Sequence, residues 1–119
     1  PEEAMVIEGS SDRLAQVFVN LLQNAFSFTG NEGAVRLGLH RENGCAVVTI
    51  RDQGPGIPPE VLPKLFHSYA TSRKGGTGLG LAIAEKIVAA HGGTIAASNN
   101  DPPPGACFTV RLPLGENEK

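Results

Sequence analysis

The sequence predicts a single α/β domain in which helices combine with several short strands. Its 119 residues, 40% of them hydrophobic, are enough for one compact core and too few for two. Two stretches carry apolar residues at helical spacing, and strand-like stretches lie before, between and after them. An Asn-Gly pair at positions 43 and 44 separates two of the strands, which is a strong signal for a β-hairpin.

The first two elements are a short strand and a long helix. The strand is predicted over residues 4–8, and Ser10 or Ser11 supplies the N-cap of a helix over residues 12–28. One face of this helix should be buried, because its apolar members keep helical spacing: Leu14, Val17, Phe18, Leu21, Leu22 and Ala25.

The hairpin follows the first helix. Antiparallel strands are predicted over residues 34–41 and 45–52, around the Asn43-Gly44 turn. In the first of these strands, alternation directs three apolar side chains towards the core: Val35, Leu37 and Leu39.

Prolines and glycines mark the elements that come next. Pro58-Pro59 opens a short helix that runs to about residue 66, and residues 67–76 form a loop. The following helix ends at Gly92-Gly93, which is typical of a glycine C-cap.

Two strands complete the domain. They are predicted over residues 94–98 and 106–112, around a proline-rich turn. We therefore expect the domain to span residues 1–114, and residues 115–119 to form a flexible tail.

Composition excludes several classes of function. A net charge of −2 and one short basic cluster, Arg73-Lys74, argue against a nucleic-acid partner. No apolar run approaches the roughly 20 residues that span a bilayer, and the first residues lack the features of a signal peptide. We therefore expect a cytoplasmic chain without direct membrane contact. Cys45 and Cys107 are isolated, so they indicate neither a metal site nor a disulfide.

The most informative stretch is Gly-Gly-Thr-Gly-Leu-Gly-Leu at residues 75–81, directly before the second helix. Its glycines let backbone amides approach a ligand, and the helix presents unpaired N–H groups to an anion. The stretch therefore predicts a phosphate-binding loop, with an ordinary flexible loop as the alternative.

Polar residues recur every four positions on the first helix. These residues are Gln16, Asn20 and Asn24, and on an ideal helix each side chain is rotated by about 40° around the helix axis from the one before. Asn24 therefore lies at the edge of the apolar face and should be half-buried. They form either a solvated helix face or, at Asn24, a neutral oxygen ligand for Mg²⁺.

A carboxylate ends the second hairpin strand. Asp52 alternates with Val48 and Ile50 and should face the core, where it needs hydrogen-bond donors. It either caps a turn or accepts a hydrogen bond from a purine amino group. In the second case Gly54 and Gly56 let the base lie against the backbone, with Ile57 as an apolar wall.

These segments together resemble the catalytic ATP-binding domain of sensor histidine kinases, in a superfamily with gyrase, heat-shock chaperone and mismatch-repair ATPases. The resemblance covers nearly the whole chain, in the family's order: an asparagine box, a first glycine box, a phenylalanine box and a second glycine box, at residues 12–29, 52–57, 65–69 and 76–81. It implies the Bergerat-type α/β fold, a two-layer sandwich with a mixed, mostly antiparallel sheet covered on one face by helices.

The resemblance also implies roles for individual residues. Asn24 matches the magnesium ligand, Asn20 a polar residue that faces the phosphates, and Asp52 the adenine-reading carboxylate. Gly54 and Gly56 match the glycines that contact the base, and Phe66 and Tyr69 match aromatic positions that support the nucleotide lid, although both could equally be core packing. Phe28 keeps an aromatic face without the hydroxyl of the family's tyrosine. The matches at the phosphates are Thr77, Gly78, Leu79 and Gly80. Arg73 or Lys74 stands where a cation would neutralise the γ-phosphate.

Two departures from the family pattern affect these expectations. Ser27 and Phe28 occupy positions where histidine kinases often carry lysine and tyrosine. No segment resembles the phosphoacceptor helix, and neither His40 nor His67 is suitably placed. The acceptor histidine is therefore expected outside this chain.

The resemblance implies that the chain binds Mg²⁺-ATP and transfers the γ-phosphoryl group to a histidine of a separate dimerisation domain. A response regulator is the expected downstream partner, and the chain would be the cytoplasmic part of a sensor. Two alternatives are an anti-sigma-factor-type serine kinase and a nucleotide-binding module without catalysis.

Overall fold

The computed structural model describes residues 9–29, 33–66, 80–101 and 103–114, without the side chains of residues 27, 28 and 64. The strand predicted at residues 4–8, the loop after residue 66 and the tail at 115–119 lie outside this part of the chain. The elements are α1 (Ser11–Thr29), β1 (Arg36–Glu42), β2 (Cys45–Arg51), a 3₁₀ helix (Leu62–Lys64), α2 (Gly80–Ala90), β3 (Thr94–Asn99) and β4 (Ala106–Pro113).

Helix α1 begins and buries its face as the sequence predicts. Ser10 is the N-cap, because its Oγ accepts the Arg13 N–H at 3.2 Å. Val17, Leu21 and Ala25, spaced four residues apart, are almost fully buried. The apolar stripe therefore packs against the rest of the core, as amphipathic helices do.

The described strands form one sheet in the order β1-β2-β4-β3, and each neighbouring pair is antiparallel. Both helices pack on the same side of it. From β4, in the interior of the described sheet, Phe108, Val110 and Leu112 meet the buried faces of α1 and α2. This arrangement confirms the predicted two-layer α/β sandwich.

Two tight turns match the sequence prediction. Asn43 and Gly44 both have positive φ, 54° and 79°, as a two-residue hairpin turn of the I′ type requires. Helix α2 ends in a Schellman motif: Gly92 has φ 78°, and Gly93 N–H donates to the Val88 carbonyl.

The prediction that Leu37 and Leu39 point into the core is wrong. They pair with Ile50 and Val48, so they lie on the helix side of the sheet, yet they are 62% and 45% exposed. The reason is that β1 is at the end of the described sheet, whereas α1 and α2 pack over β2 and β3. Val35, just before β1, does pack against the core.

The helix predicted from Pro58 to residue 66 is also wrong in extent. The chain makes a turn after Pro58 and then a 3₁₀ helix of three residues, Leu62–Lys64. Pro63 has no N–H to donate, and the ring of a proline disfavours helical geometry in the residue before it. Neither helix α1 nor α2 is long and apolar enough to cross a membrane.

Candidate functional site

Asp52 is a buried carboxylate held by the backbone of its own loop and of β4. It is 1% exposed, and its Oδ1 accepts the N–H groups of Gly54 and Ala106, each at 3.0 Å. The core-facing position predicted from strand alternation is therefore confirmed. The bond from Gly54 makes an Asx turn, so Asp52 has the turn role whatever else it binds.

The loop after Asp52 is attached to the end of α1. The Gln53 N–H donates to Thr29 Oγ1 at 2.8 Å, and Gln53 Oε1 accepts the Ala34 N–H at 2.8 Å. Since Thr29 is the last residue of α1, the asparagine box and the first glycine box meet at this point. Sequence reasoning did not assign Thr29 or Gln53 to the site.

The first glycine box then turns back into the core. Gly54 is buried, and Gly56 has φ 86°, a conformation that L side chains rarely adopt. Ile57 is 3% exposed and belongs to the hydrophobic core cluster. The loop therefore leaves the sheet at a buried carboxylate and ends at a buried isoleucine.

Asn20 connects α1 to the start of α2. Its Nδ2 donates to the carbonyl of Gly80 at 3.2 Å, and Gly80 is the first residue of α2. The structure thus brings a predicted phosphate-facing side chain to the start of α2, which belongs to the second glycine box. The N-terminal N–H groups of such a helix favour anions.

Asn24, one turn after Asn20, is half-buried as predicted, and it has an unpaired atom. Its Nδ2 is buried without a hydrogen-bond partner among the described residues. A buried polar group left unpaired costs about 1–3 kcal/mol, which argues against a purely structural role. The orientation of an asparagine amide is assigned from its contacts, so the same edge can present either the nitrogen or the oxygen. A neutral amide oxygen at this position fits Mg²⁺, which takes oxygen ligands.

Among the described residues, Glu42 has a shifted pKa, and it lies outside this site. A hydrogen bond and the charge of Arg111 lower the pKa of Glu42, with a smaller contribution from His40. Arg111 and Glu42 lie on the face of the sheet opposite the helices, as the register of β1, β2 and β4 shows. This pair therefore plays no part in the site.

Several predicted site residues cannot be placed. Phe28 belongs to α1, but its side chain is outside the described part of the structure. The others lie in residues 67–79, which are not described: Tyr69, Arg73, Lys74, Thr77, Gly78 and Leu79. Their roles remain predictions.

Sequence reasoning also missed two asparagines that contact the first glycine box. Asn99 bonds to the backbone of Ile57, and Asn100 bonds to the backbone of Asp52. The available signal was a pair of asparagines between a strand and a turn, where this side chain often bonds to backbone. The sequence does not show which backbone groups they reach.

The geometry agrees with a comparison against protein families. Residues 9–116 match the model described as histidine kinase-, DNA gyrase B- and HSP90-like ATPase. The chain belongs to this family. Its two-layer fold is thus that of an ATPase domain of this family.

Curated relatives and solved structures identify the branch of the family. The C4-dicarboxylate transport sensor protein DctB of Rhizobium meliloti is 40% identical over 114 residues, which is 94% of this chain and 18% of DctB. The adaptive-response sensory kinase SasA of a Synechococcus strain is 36% identical over 124 residues, 99% of this chain and 32% of SasA. The chain therefore spans a third or less of these relatives' own lengths.

Three solved structures have the same fold. The mycobacterial sensor histidine kinase MprB superposes with a TM-score of 0.83 at 34% identity, covering 91% of this chain and 76% of that one. Full-length ShkA in complex with AMPPNP gives 0.80 at 30% identity, covering 94% and 24%. Histidine kinase ThkA in complex with its response regulator TrrA gives 0.77 at 31%, covering 95% and 32%. The chain is an ATP-binding domain of the histidine kinase type.

Proposed function

We propose that this chain binds Mg²⁺-ATP and transfers the γ-phosphoryl group to a histidine on a separate dimerisation domain, from which a response regulator receives it. The observation that carries the proposal is the buried Nδ2 of Asn24, which has no hydrogen-bond partner among the described residues and lies one helical turn from the contact between Asn20 and Gly80. The sensor-kinase relatives and the ThkA complex with a response regulator support the reaction and the partners.

The base binds against the loop that starts at Asp52. The carboxylate accepts a hydrogen bond from the adenine amino group, and a carboxylate that already binds two backbone N–H groups is held in one orientation. Gly54 and Gly56 let the ring approach the backbone. Phe28 and Tyr69 supply apolar surfaces around it, and Ile57, which is packed in the core, supports the loop from behind.

The phosphates bind between α1 and the start of α2. Asn24 would hold the magnesium ion, which when bound would neutralise phosphate charge and help to orient the γ-phosphoryl group. Asn20 faces the phosphates beside Gly80, and the backbone of Thr77, Gly78 and Leu79 completes the cradle. Arg73 or Lys74 neutralises charge that develops on the γ-phosphoryl oxygens.

The transfer requires little covalent chemistry from this chain. The imidazole nitrogen of the acceptor histidine attacks the γ-phosphorus, an N–P bond forms, and the bond to the ADP oxygen breaks. Positioning and charge neutralisation supply most of the catalysis in phosphoryl transfer. The site can therefore work without a nucleophile of its own. Because its substrate is ATP, we place the domain in the cytoplasm.

The decisive experiment supplies the missing partner. The chain is mixed with labelled ATP, Mg²⁺ and a histidine-bearing dimerisation domain of a related kinase, alongside the same domain with its acceptor histidine replaced. We expect acid-labile label on the first domain and none on the second. Acid-stable label would instead indicate a serine kinase, and ATP binding without transfer to any acceptor would indicate a binding module.

A further inference from the structure

The loop after Asp52 is not held by the hydrogen bonds of a helix or a strand. Strand β2 ends at Arg51, and residues 52–58 form neither helix nor strand. Pro55 and Pro58 restrict φ at their own positions, and the Asx turn at Asp52 fixes the start of the loop, but Gly56 has no intrinsic preference for one backbone conformation. Contacts from outside the segment are therefore needed to hold its far end.

Asn99 holds the far end of the loop with both polar atoms of its amide. The Ile57 N–H donates to Asn99 Oδ1 at 2.6 Å, and Asn99 Nδ2 donates to the Ile57 carbonyl at 2.9 Å. One side chain thus satisfies the donor and the acceptor of a residue 42 positions away. Both bonds are partly buried, where a hydrogen bond is electrostatically stronger than in water.

Asn100 and Gly105 hold the near end. Asn100 Nδ2 donates to the carbonyls of Asp52 and Pro104, each at 2.9 Å, and the Asn100 N–H donates to the Gly105 carbonyl at 2.8 Å. Gly105 has φ 100°, and a Cβ built there would lie 1.9 Å from the Asp52 carbonyl oxygen. The turn between β3 and β4 therefore lies directly against the Asp52 backbone.

Gly56 makes room for the same contact. A Cβ at Gly56 would lie 2.9 Å from Asn99 Oδ1, and the residue has φ 86°. A glycine that the resemblance assigns to base contact is thus also needed for Asn99 to reach Ile57. The loop and the two asparagines are packed as one unit.

We propose that Asn99 is a positioning residue for nucleotide binding. By fixing Ile57 relative to Asp52, it holds the base pocket in its binding conformation before nucleotide arrives. It acts through the Ile57 backbone and does not contact the base. Preorganisation raises affinity because less ordering remains to be done on binding. This inference rests on the proposed role of the loop in binding adenine.

Two variants and a neighbouring control test the inference. Asn99→Ala removes both bonds, whereas Asn99→Asp keeps the side-chain shape and the acceptor for the Ile57 N–H but places a carboxylate oxygen against the Ile57 carbonyl. Ser98→Ala changes an exposed residue next to Asn99 on β3. We expect both Asn99 variants to raise the Kd for ATP about tenfold and to reduce the preference for ATP over GTP, with Ser98→Ala unchanged.

Amide hydrogen exchange separates positioning from general stability. Without nucleotide, the Ile57 and Gly54 amides should already be protected in the unchanged chain, and they should exchange faster in the Asn99 variants while β2 and β4 keep their protection. An Ile57 amide that exchanges freely in the unchanged chain would overturn the inference. So would folded Asn99 variants with the original ATP affinity. If Asn99→Ala does not fold, Asn99→Asp decides.

Failure of this inference can be distinguished from failure of the proposed function. If Asp52→Asn weakens ATP binding and the Asn99 variants do not, only the inference about Asn99 fails. If Asp52→Asn also leaves ATP binding unchanged, the adenine site itself has been assigned to the wrong loop.

Discussion

Two substitutions of Asp52 should separate its structural role from its proposed role in reading the base. Asp52→Ala removes the acceptor of two buried N–H groups, those of Gly54 and Ala106. Each unpaired N–H costs about 1–3 kcal/mol, so the free energy of unfolding should fall by about 2–6 kcal/mol. That loss is large against the 5–15 kcal/mol typical of a domain.

Asp52→Asn keeps the Oδ1 acceptor and its two backbone bonds. We expect it to lose only about 1–2 kcal/mol of stability, since hydrogen bonds to a charged acceptor become bonds to a neutral one. Its new NH₂ group, however, would face the adenine amino group donor to donor. ATP affinity should fall by about 1–3 kcal/mol, which is roughly 5- to 150-fold in Kd.

Urea denaturation measures the stability of the two variants, and calorimetric titration with ATP measures affinity. We expect the two variants to differ in stability: Asp52→Ala should be poor in both assays, whereas Asp52→Asn should be poor chiefly in ATP affinity. An Asp52→Asn chain that binds ATP like the original would refute the adenine role. An Asp52→Ala chain of unchanged stability would refute the estimate drawn from its two backbone bonds.

Three further predictions concern metal, phosphates and partner. Asn24→Ala should weaken the dependence of ATP binding on Mg²⁺, measured by titration with and without the metal, while stability changes little; a variant that unfolds readily but keeps its magnesium response would make Asn24 structural. Amides of residues 70–81 should gain protection from hydrogen exchange on addition of Mg²⁺-ATP, because we propose that the phosphates bind N–H groups of this segment; equal exchange in both states would exclude this segment from phosphate binding. Ile83→Ser should lower phosphotransfer to a supplied acceptor domain about tenfold without changing ATP affinity, because Ile83 is a 39% exposed apolar residue on the first turn of α2, the helix end that the acceptor domain must approach if the phosphates bind there as proposed. Leu37→Ser, at an exposed apolar residue of β1, is the control, and equal transfer by the two variants would contradict a contact between Ile83 and the acceptor domain.

The sequence by itself determined the features that depend on neighbouring residues. A serine cap at position 10 or 11, the Asn43-Gly44 turn and the glycine end of α2 follow from the chemistry of a few adjacent positions. All three are present in the structure, with Ser10 as the cap. Strand alternation likewise predicted that Asp52 faces the core. The resemblance carried by four ordered motifs predicted the family and the fold.

The short helix after Pro58 shows where local patterns compete. Its prolines are suited to the first turn of a helix, but Pro63 removes a donor further along, and the chain forms turns and a 3₁₀ helix instead. Both effects of proline can be read from the sequence. Whether a longer helix or a 3₁₀ helix forms depends on which effect is stronger.

Only the tertiary structure decided what each side chain meets. Alternation identifies the face on which Leu37 lies, but the extent of the helix layer over the sheet determines that it is exposed. Asp52 needed donors, and those from Ala106 and its own loop depend on the pairing of β2 with β4. The contact between Asn99 and Ile57 joins residues 42 positions apart. Such contacts depend on the packing of segments that are distant in sequence. No local sequence pattern specifies which distant residue a side chain will bond to.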